Sequence, residues 1–223
     1  MPSVNAVRLH AERERVAAAA RRLAAAGLVA GTAGNVSERA GELVAVTPTG
    51  AELAGLSAEQ ITVVDLEGRP VEGRLEPTSE LDLHLGVYRR YGSAAVVHTH
   101  APAATAVACV ATELPAIHYQ VLALGGPVRV APYATFGSAE LAAGVLEALE
   151  GRTAALMASH GAVTHGHTLD AAVAGTELLE WLCDVYARAV TLGSPRVLGE
   201  DELSDVIRVV ARRGYGAVRE REP

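Results

Sequence analysis

The stretch Ala94-Ala95-Val96-Val97-His98-Thr99-His100 is a short apolar run that ends in two histidines one residue apart. A run of this kind reads as a β-strand, and in a strand the side chains at i and i+2 share one face. His98 and His100 can therefore grip a single metal ion. A third histidine, His160, closes a second apolar run, Ala154-Ala155-Leu156-Met157-Ala158-Ser159. Three imidazoles with a fourth position open form the ligand set of a catalytic rather than a structural zinc site. Alone, an H-x-H is more often two solvated rings on a surface strand, so the reading depends on the remainder of the chain.

Around these strands the pattern alternates loosely between strands and helices. An alanine- and arginine-rich helix is expected from about Ala6 to Ala26, stopped by Gly27. Strands are expected over Glu42 to Thr47, Ile61 to Leu66 and Val128 to Ala131, and one or two more over Ala154 to Thr164. Pro77-Thr78-Ser79 opens a helix running to about Tyr91, and further helices span Ala101 to Cys109, Ser138 to Leu149, Leu169 to Leu192 and Asp201 to Arg213. Tight turns join several strand pairs. The pattern predicts an α/β protein with a mixed, mainly antiparallel sheet flanked by helices. A chain of 223 residues fits one domain, residues 1–223, with no internal repeat or linker.

Composition excludes whole classes of activity. Half of the residues are hydrophobic, so the chain is not disordered, yet no apolar run approaches the ~18 residues that would span a bilayer. The charged N-terminal stretch Met1 to Arg15 lacks an apolar signal core, which predicts a cytoplasmic protein. The net charge of −7, without a basic stripe, argues against nucleic acid as a partner. Cys109 and Cys183 read as buried small hydrophobes. All 19 basic residues are arginine, and the absence of lysine rules out Schiff-base aldolases, pyridoxal-phosphate enzymes, Walker A loops and protein-kinase sites. If the protein stabilises a carbanion, a metal must do it. No G-x-S-x-G elbow occurs, which disfavours a serine hydrolase, and Gly31-x-x-Gly34 does not complete a dinucleotide fingerprint.

Other candidates cluster near turns. Thr78 and Ser79 offer hydroxyls and backbone N–H groups at a helix start, a natural anion site. Gly34-Asn35 and Thr49-Gly50 are further turns able to nest phosphate oxygens. Glu80 follows Ser79 and is a candidate acid/base; Asp82 reads as a capping partner for Ser79, and His84 as packing or surface. His165-Gly166-His167 reads as an exposed loop rather than a ligand pair. Tyr119, beside His118, is a candidate proton donor to a developing alkoxide.

Taken in order, seven segments resemble the class II aldolase/adducin family: Gly34-Asn35-Val36-Ser37, Thr47-Pro48-Thr49-Gly50, Ser79-Glu80, Val96 through Ala101, Pro115-Ala116-Ile117-His118-Tyr119, Ala131 through Gly137, and His160-Gly161. The resemblance implies a three-layer α/β/α sandwich assembled as a homotetramer with active sites at subunit interfaces. It implies Zn2+ on His98, His100 and His160, with Mn2+ or Co2+ also compatible because histidine ligands do not select sharply. It implies Glu80 as the acid/base, effective only if burial raises its pKa and the metal does not hold it permanently. The phosphate of a sugar phosphate would lie on Gly34, Asn35, Thr49, Gly50, Thr78 and Ser79. Tyr119 would protonate the aldehyde oxygen across a subunit boundary, and Phe136 and Tyr215 would line the aldehyde pocket. The implied activity is cleavage of a ketose 1-phosphate (L-fuculose 1-phosphate or a similar deoxy-ketose 1-phosphate) to dihydroxyacetone phosphate and an aldehyde. A methylthioribulose-1-phosphate dehydratase, an L-ribulose-5-phosphate 4-epimerase and an adducin-like association domain stand as alternatives of the same fold. The family pattern has two serines before the glutamate, whereas this chain has Thr78 and Ser79.

Overall fold

A computed structural model describes residues 8–213. Helix α1 (His10–Ala25) precedes a meander of strands β1 (Asn35–Ala40), β2 (Leu43–Val46), β3 (Thr62–Asp65) and β4 (Pro70–Glu72). Helix α2 (Leu81–Tyr91) leads into β5 (Ala95–Thr99), the histidine strand, and then α3 (Pro102–Val110). Strands β6 (Glu113–Leu114) and β7 (Val128–Ala131), helix α4 (Ala139–Ala148), strands β8 (Ala154–Met157) and β9 (Gly161–Gly166), and helices α5 (Leu169–Leu192) and α6 (Glu200–Arg213) complete the order. The strands form one sheet in the order β4-β3-β2-β1-β5-β9-β8-β7-β6, antiparallel except where β7 runs parallel to β8 across the α4 crossover. The expected mixed, mainly antiparallel sheet is present. Its edges are short: β4 has three residues and opens on Pro70, and β6 has two.

The period of two decides the layering. Ala95 and Val97 of β5, with Ala154 and Leu156 of β8, enter a core shared with α1, α3 and α5. Val96 of β5, with Ala155 and Met157 of β8, enters a separate core shared with α2 and α4. Both faces of the central strands are covered, which is why these strands read as unbroken apolar runs rather than as polar–apolar alternation. The result is a three-layer α/β/α arrangement.

Several expectations are corrected. Helix α2 begins at Leu81, not at Pro77, because the preceding residues are committed to pairing: Pro48 and Pro77 form an isolated bridge and the Thr78 amide donates to the Thr47 carbonyl at 3.1 Å. Glu80 takes the N-cap position, and no side-chain cap joins Ser79 to Asp82. Cys109 is exposed near the end of α3, on the helix side opposite the buried Ala104, Val107 and Ala108; Cys183 is buried as expected. His165 and Gly166 are part of β9 rather than of an exposed loop. The His165 ring is hydrogen-bonded to Ser93 and to the Arg152 carbonyl and stacks on Tyr91 with ring centroids 5.2 Å apart. Among the described residues, no helix is long and apolar enough to cross a membrane.

Leu156 of β8 is fully buried in the core shared with α1, α3 and α5. Leu156→Ala should cost about 2–5 kcal/mol, the range for a large-to-small change at a buried site. The measurement is urea unfolding, with the midpoint displaced and the slope unchanged. A midpoint equal to that of the parent protein would show that this core is not packed as described.

Candidate active site

Strand register brings the site together. In the β1–β5 pairing Asn35 lies opposite His98, and in the β5–β9 pairing His98 lies opposite Val163. His160 sits in the tight turn between β8 and β9, immediately after Ser159, whose φ of 54° is left-handed. That conformation costs a non-glycine residue roughly 1–2 kcal/mol, and it turns the chain so that His160 faces the two strand histidines. Gly161 follows for a steric reason. A Cβ there would lie 2.3 Å from the Thr99 carbonyl oxygen and 3.2 Å from Cδ2 of His100. Only glycine lets the turn approach the histidine strand this closely.

The three rings meet edge to face, with centroids 4.8–4.9 Å apart, and one ligand atom from each lies within 4.8 Å of the others. Nδ1 of His98 donates to the Ala162 carbonyl at 2.9 Å, so on the neutral ring the Nε2 lone pair faces the cleft. Nε2 of His100 stands 3.0 Å from it, and Oε2 of Glu80, also at 3.0 Å, is acceptor-only. Oε1 of Glu80 is buried, 3.5 Å from Nε2 of His160, and has no hydrogen-bond partner among the described residues. Electron-rich atoms crowded around one point require positive charge there, as a proton or a metal cation. Three imidazole nitrogens and a carboxylate fit a divalent transition metal. His98, His100 and His160 are the residues that could hold it. Burial and the neighbouring imidazoles lower the His100 pKa to about 4 and lower that of His160, which keeps both rings neutral as metal ligation requires.

Glu80 departs from expectation. Burial does oppose its charge, but when the positive charge at this point is a proton on His98, that hydrogen bond and charge, with the Asn35 amide and His160, outweigh the penalty and hold the carboxyl well below the usual carboxylate range. A burial-raised pKa was the condition set for acid/base work; here the donors around Oε2 act against it and leave Glu80 ionised, able to accept a proton first.

Beside the histidines lies a cleft of about 140 Å³. Gly34, Asn35, Thr49, Gly50, Thr78 and Ser79, the six residues expected at a phosphate, all line it, together with Glu80, His100, His160 and Phe136. Thr32, Ala33 and Pro48 line it as well; they flank the two glycine turns and carried no separate signal in the sequence. The turns are tied to one another. The Thr49 amide donates to the Glu76 carbonyl at 3.0 Å, and the Thr78 hydroxyl accepts from the Glu80 amide at 3.3 Å. Gly34 has φ +96° and runs against the His98 carbonyl, where a Cβ would be 2.9 Å from the oxygen.

Tyr119 is not in this cleft. It borders an apolar pocket with Val206, Val209 and Val210 of α6 and stacks on His118, whose ring meets Trp181 edge-on. Tyr215 lies outside the described residues. His84, read as packing or surface, is fully buried and hydrogen-bonded to Asn35 and Ser37, a polar role that its helical spacing did not reveal.

A family model described as Class II Aldolase and Adducin N-terminal domain matches residues 14–187. The chain belongs to this family. Among class II aldolase relatives it is similar to the 5-deoxy-D-ribulose 1-phosphate aldolase of Bacillus thuringiensis serovar kurstaki, 37% identical over 211 residues covering 93% of this chain and 98% of that protein. It is also similar to a 5-methylthioribulose-1-phosphate/5-deoxyribulose-1-phosphate aldolase of Rhodospirillum rubrum, 41% identical over 201 residues covering 89% of this chain and 90% of that protein. Among solved structures, an L-fuculose 1-phosphate aldolase superposes with a TM-score of 0.86 at 34% identity, covering 90% of this chain and 96% of that one.

Gly161→Ala should separate the β8–β9 turn from the histidine strand. The overpacking penalty is about 1–3 kcal/mol, and affinity for a divalent metal should fall at least about tenfold through displacement of His160 and His100. Chelator competition reads the affinity. Unchanged metal binding would mean that this close approach does not set the ligand geometry.

Proposed function

We propose that this class II aldolase cleaves a deoxy-ketose 1-phosphate, L-fuculose 1-phosphate or a similar sugar, to dihydroxyacetone phosphate and a short aldehyde. The observation that carries the reading is convergence: Glu80, His98, His100 and His160 surround one point, beside a cleft lined by the glycine and hydroxyl turns. Relatives covering most of this chain bear names that join aldolase chemistry to 5-deoxyribulose 1-phosphate and to its methylthio analogue. These names favour carbon–carbon cleavage over dehydration. Glu80 itself disfavours the epimerase alternative, in which an aspartate is expected at that position. A buried carboxylate among three imidazoles has no use in an adducin-like association domain.

In this reading His98, His100 and His160 hold a divalent cation, Zn2+ in the first instance, with Mn2+ or Co2+ compatible. When bound, the cation supplies the electrophilic polarisation that a lysine would otherwise provide. The Gly34, Gly50 and Ser79 amides and the Thr49, Thr78 and Ser79 hydroxyls hold the phosphate, and that remote binding energy orients the reacting end. Asn35 donates one amide hydrogen to Glu80 and has a second for the cleft. Oε2 of Glu80 is anchored, so Oε1, the oxygen without a hydrogen-bond partner among the described residues, carries the proton to and from the substrate carbon. In cleavage the hydroxyl that becomes the aldehyde gives its proton to the ionised Glu80 carboxylate, the bonding pair passes to the ketone half, and Glu80 returns the same proton to that carbon. Tyr119, placed away from this cleft within the subunit, serves the aldehyde oxygen of a neighbouring subunit in a homotetramer. Phe136 lines the aldehyde side of the cleft, and Tyr215 is the second aromatic assigned there. No nucleic acid or membrane partner is proposed; the chain acts as one domain in the cytoplasm on a small phosphorylated sugar.

A panel of ketose 1-phosphates, scored for release of dihydroxyacetone phosphate with and without chelator, tests the activity. Chelator-sensitive release from a deoxy-ketose 1-phosphate is expected, and no release from any member would overturn the proposal. Glu80→Gln should keep its metal and lose about 10²–10⁴-fold in kcat, the range for a general acid/base. Parental turnover in that variant would remove Glu80 from the chemistry.

A further inference from the structure

Behind Glu80 runs an unbroken line of buried side chains. Asn35 Nδ2 donates to Glu80 Oε2 at 3.0 Å. Asn35 Oδ1 lies 2.5 Å from His84 Nε2, His84 Nδ1 lies 2.6 Å from Ser37 Oγ, and Ser37 Oγ lies 2.5 Å from the Tyr88 hydroxyl. All five residues are buried. The line uses two periodicities at once: Asn35 and Ser37 are i and i+2 on β1, and His84 and Tyr88 are i and i+4 on α2.

The far end of this line dictates its direction. A carboxylate only accepts, so the Asn35 amide must present nitrogen to Glu80 and oxygen to His84. His84 must then carry its proton on Nε2. Burial holds the His84 pKa down to about 3, so the ring is neutral and Nδ1 accepts. Ser37 therefore donates to His84, and Tyr88 donates to Ser37. Four hydrogen bonds point the same way, each polarising the next, and end on one oxygen of Glu80.

We propose that His84 is a positioning residue, whose Nε2–H fixes the orientation of the Asn35 amide and thereby anchors Oε2 of Glu80. An amide turned over would set Asn35 Oδ1 against Glu80 Oε2, two acceptors in contact, and would push the carboxylate from its place. His84 forbids that turn by offering Oδ1 a donor. The inference rests on the reading of Glu80 as acid/base, since that role makes its anchoring matter for turnover.

Two substitutions separate positioning from bulk packing. A glutamine side chain can place its amide N–H where Nε2 stands, whereas asparagine ends near Nδ1 and falls short of Asn35. His84→Gln should retain kcat to within about tenfold. His84→Asn should lose a further about 10–100-fold in kcat, as removal of an outer-sphere partner does, with little change in KM or metal content. Equal loss in both variants, or loss in KM instead of kcat, would overturn the proposal. Two further measurements do not need turnover. Nitrogen NMR of the parent protein should show His84 neutral with its proton on Nε2; a proton on Nδ1 would overturn it. A crystal structure of H84N should show Asn35 no longer donating to Glu80, and an intact 3.0 Å contact would equally overturn it. If the parent protein cleaves no ketose 1-phosphate, the aldolase reading fails, while the tautomer and the H84N structure still decide what His84 does.

Discussion

A carboxylate sunk among three imidazoles is the constraint around which the site is built. Glu80 is about 6% exposed, and an ionised carboxylate at that depth is costly unless it is paired and hydrogen-bonded. The surroundings supply both: His98 and Asn35 at one oxygen, His160 near the other. None of these three partners is close to Glu80 in sequence. Their meeting depends on β1 and β9 both pairing with β5 in a single register, since a one-residue slip would turn His98 toward the opposite face of the sheet.

Much of this was open to a reading of the chain. The i, i+2 histidines on an apolar run needed only the period of a strand. His160-Gly161 closed a second run in the same way, and Gly161 proves to be required by the approach to Thr99. The turns at Gly34, Thr49 and Thr78 were recognisable because glycine and hydroxyl residues in turns do few other things. The sheet's mainly antiparallel character followed from tight connections, and α5 was bounded correctly because its apolar spacing persists for 24 residues between Thr168 and Gly193.

The remainder was hidden because it lies in pairings over long distances. His84 looked like packing since nothing in α2 names a polar partner; Asn35 and Ser37 are 49 and 47 residues away. The balance of forces on the Glu80 carboxyl was out of reach because burial is readable from local context whereas the opposing donors are not. The start of α2 was placed early because Pro77-Thr78-Ser79 has the composition of a helix opening; the Pro48–Pro77 bridge, invisible locally, holds those residues extended. Cys109 was assigned inward by composition, and the helical phase of α3 places it outward.

The sheet ends in two stunted strands, one of three residues that begins with Pro70 and one of two. A proline offers no ladder donor, and a two-residue strand offers almost no template, so neither border invites a foreign strand to dock. Any association between copies would therefore run through side chains on helices and loops, where a single substitution can retune contacts without disturbing the backbone lattice that holds the histidines. The fold thus separates the freedom to vary its outer surface from the rigidity of the strands that carry the site.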